Sequence, residues 1–225
     1  MVTYAGVVFD LDETLVDRHG SLTRYASGLW RLHRHLIELG EDDFIARFHE
    51  IDDRARTPRK AFFERFTSSV LPHLGVAEFE EHFFDGAWAA PILFDGVVEL
   101  LSSLREGGYR TGIITNGGQR PQSAKILNSG LDKMVDAFLI SESFGASKPA
   151  PEIYAAMAER LQLDLQRSWF VGDCPVADVV GSTRAGFKAI WVERYTPWPP
   201  NEPAVYHAKI RTVADLLDVI DPVRV

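Results

Sequence analysis

Four short stretches of this 225-residue chain hold the side chains best suited to chemistry. Asp10-Leu11-Asp12-Glu13-Thr14 sets two carboxylates two residues apart, with a hydroxyl beside them. Thr115-Asn116-Gly117-Gly118 offers a second hydroxyl and a glycine pair that exposes backbone. Gly145-Ala146-Ser147-Lys148-Pro149 supplies one lysine, and Gly172-Asp173-Cys174 a further carboxylate, with Asp178 five residues on. Carboxylates serve as nucleophiles or as acids and bases, while a lysine and exposed N–H groups suit an anion. These stretches lie far apart along the chain, so they act together only if the fold gathers them at one rim.

The surrounding patterns supply such a rim. Tyr4 to Phe9 (YAGVVF) is short, apolar and rich in β-branched residues, as a buried strand requires. Arg110–Thr115, Ala137–Ile140, Trp169–Gly172 and Lys188–Glu193 read the same way, and Ala208–Ile210 makes a sixth candidate. Between them run helical patterns: Val97–Arg105, Pro121–Asn128, Pro151 to about Leu163, Pro175–Ala185 and a terminal Val213–Ile220. Strands alternating with helices mean βαβ units and a mostly parallel sheet, and such sheets bind ligands beyond the carboxyl ends of their strands. All four reactive stretches follow a predicted strand.

The alternation stops after Val16 and resumes only after Pro91. The stretch between is helical, with Leu22, Tyr25, Leu29, Leu32, Leu36 and Leu39 on one stripe, Ser21 as N-cap and Gly40 as stop. Glu41, Asp42 and Asp43 favour a second helix start, followed by Phe44, Phe48, Ile51 and Ala55. Further helices are expected after Pro58, carrying Phe62, Phe63, Phe66 and Val70, and around Ala77–Phe84. The expected architecture is α/β: a Rossmann-like parallel-sheet core (1–16 and 92–225) with an inserted α-helical domain (17–91).

FDLDETL, the strand ending Thr115-Asn116, SKP at Ser147–Pro149 and GDCPVAD at Gly172–Asp178 resemble the four ordered motifs of the haloacid dehalogenase-like (HAD) hydrolase superfamily. The insert resembles the helical cap of its C1-capped phosphatase branch, and the likeness covers essentially the whole chain. The resemblance implies that Asp10 attacks phosphorus to form an aspartyl-phosphate. It implies that Asp12 protonates the leaving oxygen and later takes a proton from water, while its backbone carbonyl serves a metal. Asp10 is the like-charge neighbour expected to raise the Asp12 pKa. Asp10, the Asp12 carbonyl and Asp173 then form an all-oxygen set suited to Mg²⁺, and no Cys/His cluster has zinc spacing. Thr115, Lys148 and the N–H groups of Leu11 and Asn116 would hold the phosphate. Thr14 would orient Asp12, and Asp178 would hold Lys148 or a metal-bound water. Glu13 stands where this family often has glycine or asparagine.

Composition narrows the partners. Hydrophobic residues are 46% and charged residues 25%, the balance of a globular protein. Twenty-four Lys+Arg against 32 Asp+Glu give a net charge of -8, without a basic tract, which disfavours nucleic acid and anionic membrane. No apolar run reaches a membrane span, and a single cysteine, Cys174, fits a cytoplasmic protein. The expected activity is Mg²⁺-dependent hydrolysis of a small phosphorylated metabolite. The alternatives are a phosphomutase, which passes the group back to a sugar, a dehalogenase, which attacks carbon, and a non-catalytic binding protein. Dehalogenases of this family lack the second aspartate of the first motif, so Asp12 argues against that chemistry. A non-catalytic protein would lack at least one chemical group, and none is missing.

Overall fold

The computed structural model describes residues 3–220. In chain order they form β1 (Tyr4–Phe9), β2 (Val16–Asp17), α1 (Arg18–His33), α2 (Glu41–Asp52), α3 (Arg59–Ser69), α4 (Val76–Gly86), β3 (Ile92–Leu93), α5 (Val97–Glu106) and β4 (Arg110–Thr115). Then follow α6 (Gln119–Asn128), β5 (Ala137–Ile140), α7 (Ser141–Phe144), α8 (Pro151–Leu161), β6 (Leu163–Gly172), a π-helical turn (Pro175–Val180), α9 (Gly181–Arg184), β7 (Lys188–Val192) and β8 (Ala208–Ile210). The chain divides into two compact units, one of residues up to Asp17 with those from Leu93 onward, the other Arg18–Ile92.

The first unit is a six-stranded parallel sheet in the order β5-β4-β1-β6-β7-β8. Alternate residues of β1 feed opposite faces, as a strand covered on both sides must. Val7 and Phe9 join Leu100, Leu104, Ile113 and Ile126 in one apolar layer. Val8 joins Ile114, Tyr154, Met157 and Phe170 in the other. From β1 the chain moves to β4 and β5 on one side, then returns to β6 on the other. The carboxyl end of β1 is therefore the point where strand order reverses, the place where such sheets open a binding crevice.

Several boundaries differ from the sequence reading, each for a physical reason. β6 starts at Leu163, six residues before the expected Trp169; its first half, LDLQR, is half-buried or exposed and lacks a continuous apolar run. The expected Pro175–Ala185 helix is a π-helical turn followed by α9. Asp178 and Val179 both donate their N–H to the Cys174 carbonyl, at 2.8 and 3.3 Å, which widens the turn. The terminal helix is a 3₁₀ segment, Val213–Asp218, opened by a reciprocal Thr212–Asp215 capping box.

The second unit is helical and built on phenylalanine. Phe44, Phe48, Phe62, Phe63, Phe66, Phe79 and Phe83 are all buried. Many meet edge to face, as Phe48 and Phe66 do at 5.1 Å and Phe48 and Phe62 at 5.3 Å. α1 begins at Arg18, so Ser21 lies inside the helix; its hydroxyl accepts from the Ile92 N–H (2.9 Å) instead of capping. The leucine stripe is buried only through Leu29. Leu32 is exposed, and α1 ends at His33 before Leu36 and Leu39. α2 starts on its three acids as expected but ends before Ala55.

Asp52, at the end of α2, ties three helices. It takes two bonds from Arg18 of α1 (both 2.8 Å) and one from Arg59 of α3 (3.0 Å). Burial pushes the Asp52 carboxyl upward, but the two guanidinium groups overcome it and hold the pKa at about 2.

Candidate active site

Asp10 follows β1, Thr115 ends β4 and Asp173 follows β6, so three of the four motifs meet at one end of the sheet by strand register alone. The fourth arrives by the loop after α7. The Lys148 ammonium lies 2.5 Å from Asp10 and 2.6 Å from Asp178. Asn116 fixes that loop: its side-chain amide donates to the Lys148 carbonyl and accepts from the Lys148 N–H, both at 2.8 Å. The Asn116 side chain thus holds Lys148, a part not expected from the sequence, which singled out its backbone N–H for the phosphate.

The second wall comes from the π-helical turn. It turns Asp178 inward, where Oδ2 accepts from the Cys174 N–H (2.9 Å). Tyr154 of α8 donates its hydroxyl to the Ala177 carbonyl and anchors the same turn. The Trp191 indole donates to the Asp173 carbonyl (3.1 Å). Cys174 supplies its backbone N–H and carbonyl to this turn, and burial pushes its thiol pKa up, away from the thiolate.

Carboxylate oxygens of Asp10, Asp173 and Asp178 lie within 4.8 Å of one another. One ammonium cannot neutralise three acids so placed. Burial first, and then the neighbouring acids, push Asp10 up to about 7 despite Lys148, and Asp173 up to about 9. Burial disfavours the Lys148 charge, yet Asp10 and Asp178 hold its pKa above the ordinary lysine value. A crowded oxygen set short of positive charge fits a hard divalent cation. The sequence reading used Asp10, Asp173 and the Asp12 carbonyl for that ion; here Asp178 also comes within reach.

Asp12 has a setting the sequence did not reveal. Lys125 of α6 lies 2.7 and 2.6 Å from its two carboxylate oxygens, and Gln122 donates to it at 3.1 Å. Asp10 is therefore not its only charged neighbour. The expected brace from Thr14 is not formed: Thr14 is fully buried, and its Oγ1 has no hydrogen-bond partner. The turn is held by backbone, with Thr14, Leu15 and Val16 all donating to the Leu11 carbonyl, at 3.4, 3.0 and 2.9 Å. Leu11 itself is buried. Glu13 adopts φ 61, a left-handed backbone that costs a side-chain-bearing residue roughly 1 kcal/mol and explains why glycine or asparagine suits this position. Neither Gln122 nor Lys125 could be singled out beforehand, since helical polar residues three apart ordinarily face solvent.

The family model of the haloacid dehalogenase-like hydrolases matches residues 4–186. The chain belongs to that family. This hydrolase is 28% identical over 229 aligned positions to a glyceraldehyde 3-phosphate phosphatase of Pyrococcus abyssi, covering 96% of its own length and 93% of the relative's. Among solved structures, a HAD phosphatase from Thermococcus onnurineus superimposes with a TM-score of 0.67 at 26% identity, covering 98% of this chain and 100% of that one. The HAD-hydrolase YfnB of Bacillus subtilis, solved bound to magnesium, shares the fold with a TM-score of 0.77 at 22% identity, covering 98% and 100%. No helix among the described residues is long and apolar enough to cross a membrane.

Proposed function

We propose that this hydrolase is a Mg²⁺-dependent phosphatase of small phosphorylated metabolites, working through an aspartyl-phosphate on Asp10. The observation that carries this reading is the buried ammonium of Lys148 bridging Asp10 and Asp178 while the Asp173 carboxylate completes an oxygen triad. Such a site presents a nucleophile, a cation for the phosphoryl oxygens and ligands for a divalent ion. Asp10, Asp173 and the Asp12 carbonyl would hold Mg²⁺, with Asp178 holding Lys148. When bound, Mg²⁺ supplies the positive charge that lets an ionised Asp10 and a phosphate dianion share the pocket.

The chain's own groups divide the remaining work. Asp10 attacks phosphorus, and Lys148 and Thr115 hold the phosphoryl oxygens with the N–H groups of Leu11 and Asn116. Asp12 gives a proton to the departing alcohol and later takes one from the attacking water. Relatives that align over most of this chain are named glyceraldehyde 3-phosphate phosphatases, which favours a short three-carbon ester. The acidic chain and its small-ester chemistry agree with a cytoplasmic enzyme that binds neither nucleic acid nor membrane.

The test is phosphate release from a panel of three-carbon, sugar and nucleoside monophosphates, with Mg²⁺ and with a chelator. Turnover of at least one class, lost on chelation, is expected. No release from any ester would overturn the reading, and activity only with a bisphosphate primer would favour a phosphomutase.

A further inference from the structure

We propose that Gln122, oriented by Lys125, is a positioning residue that fixes the direction of hydrogen bonding at the phosphate site, so that the Thr115 hydroxyl donates its proton outward to a phosphoryl oxygen. The inference rests on the phosphatase reading and adds to it a buried pair on α6. Gln122 and Lys125 are both buried polar residues, three apart on the face that meets Asp12 and Thr115.

The argument is one of donors and acceptors. An ammonium can only donate. Lys125 Nζ lies 2.6 Å from one end of the Gln122 amide, so that end must be the oxygen, Oε1. The other end, the NH₂, is thereby turned toward the site, where it donates to Asp12 Oδ2 (3.1 Å) and to Thr115 Oγ1. Thr115 thus spends acceptor capacity on Gln122. Its own proton finds no acceptor among the described residues, so it remains for an anion at the strand end. Lys125 also grips both oxygens of Asp12, at 2.7 and 2.6 Å, which seats the general acid–base group on the same scaffold. Asp12, Gln122 and Lys125 pair with one another in this network, and Lys125 sets its direction, leaving the Thr115 proton as the one unsatisfied donor.

The decisive variant is Gln122→Glu, measured against Gln122→Met. A carboxylate of the same size keeps the shape and the bond to Lys125 but offers acceptors where Gln122 offered donors. Thr115 then turns its proton inward. A packing role for Gln122 predicts that the carboxylate is tolerated better than the thioether; the donor chain predicts the reverse for phosphate binding. The expected result is a Ki for inorganic phosphate raised about tenfold or more by Gln122→Glu and less by Gln122→Met, with melting temperatures recorded for both.

Repulsion by the added negative charge is separated by repeating Gln122→Glu in a Thr115→Val background. If the effect runs through the Thr115 hydroxyl, the further penalty there disappears; a full penalty would mean repulsion and overturn the proposal. So would an unchanged Ki in Gln122→Glu, or a Ki raised more by Gln122→Met. Failure of wild type to bind phosphate or release it from any ester would instead remove the phosphatase reading, and this inference with it.

Discussion

In the proposed mechanism Asp10 is the residue on which the chemistry turns, and its surroundings suit that role. Lys148 sits 2.5 Å from it, and burial with Asp178 pushes it to about 7. Asp10→Asn keeps the shape and an acceptor for Lys148 but removes the attacking lone-pair charge. It is expected to lower phosphate release by about a thousandfold or more while the protein still folds, since the loss of a covalent nucleophile costs the whole covalent route. Circular dichroism beside the phosphate assay checks both halves; appreciable turnover in this variant would remove Asp10 as nucleophile. At this scale the sequence was legible wherever a reactive residue directly follows a strand: Asp10, Thr115 and Asp173 are placed by sheet register. It was illegible where a helix face decides. Gln122 and Lys125 reach Asp12 from 110 and 113 residues away, and nothing local in QRPQSAK says which side of α6 faces the sheet. Thr14 shows the converse, a hydroxyl read as a brace that the fold leaves buried and unpartnered.

Elements place these residues, and two predictions belong at this scale. Gly172 ends β6 directly beneath the π-helical turn, and a Cβ added there would stand 2.4 Å from Asp178 Cγ. Asp178 cannot retreat freely, being held by Lys148 and the Cys174 N–H. Gly172→Ala is therefore expected to cut kcat at least roughly tenfold by displacing the partner of Lys148, a positional error of the kind that is costly in an active site. A kcat within twofold of wild type would show that the turn moves at no cost. In the helical unit, Asp52 joins α1, α2 and α3, and its lowered pKa fixes the sign of an acid effect. A carboxylate at about 2 when folded and 3.8 when unfolded gives stability that is complete above 3.8 and is lost as pH falls toward 2. The amount is on the order of 2 kcal/mol. Acid unfolding followed by helical circular dichroism is expected to be flatter between pH 4 and 2 in Asp52→Asn, which is also roughly 3 kcal/mol less stable at neutral pH because the buried Arg18 and half-buried Arg59 guanidinium groups lose their counter-ion. Parallel acid curves would refute the linkage. The strands and the phenylalanine-bearing helices were readable from period alone, whereas the π-helical turn was not. Its widening depends on the Cys174 carbonyl accepting two N–H groups, a feature with no pattern in PVADVV.

The molecule as a whole has to keep a cluster of carboxylates together in a chain of net charge -8. The sequence showed where the sheet pattern breaks off and resumes, because apolar strand runs give way to a helical period after Val16 and return after Pro91. The two units part at Asp17/Arg18 and Ile92/Leu93. What the pattern could not show is how much charge the first unit concentrates at its sheet end: three acids with oxygens within 4.8 Å, answered by one lysine. Such a fold is held back by its own site, and a divalent cation that binds only the folded form must stabilise it. At a concentration 100 times its dissociation constant the gain is about 2.7 kcal/mol, which for a chain of this size raises Tm by roughly 5–11 °C. Asp173→Asn removes one ligand and one crowded acid together, so it is expected to abolish the Mg²⁺-dependent rise without lowering the Tm measured in chelator. A variant that merely damaged the fold would lower both. Thermal melts of wild type and variant across a MgCl₂ series need no substrate, so they test the cation site whatever ester the enzyme prefers. A wild-type Tm indifferent to Mg²⁺, or a rise that survives Asp173→Asn, would show that the acids are satisfied in some other way and that the cation-assisted chemistry has lost its ligand.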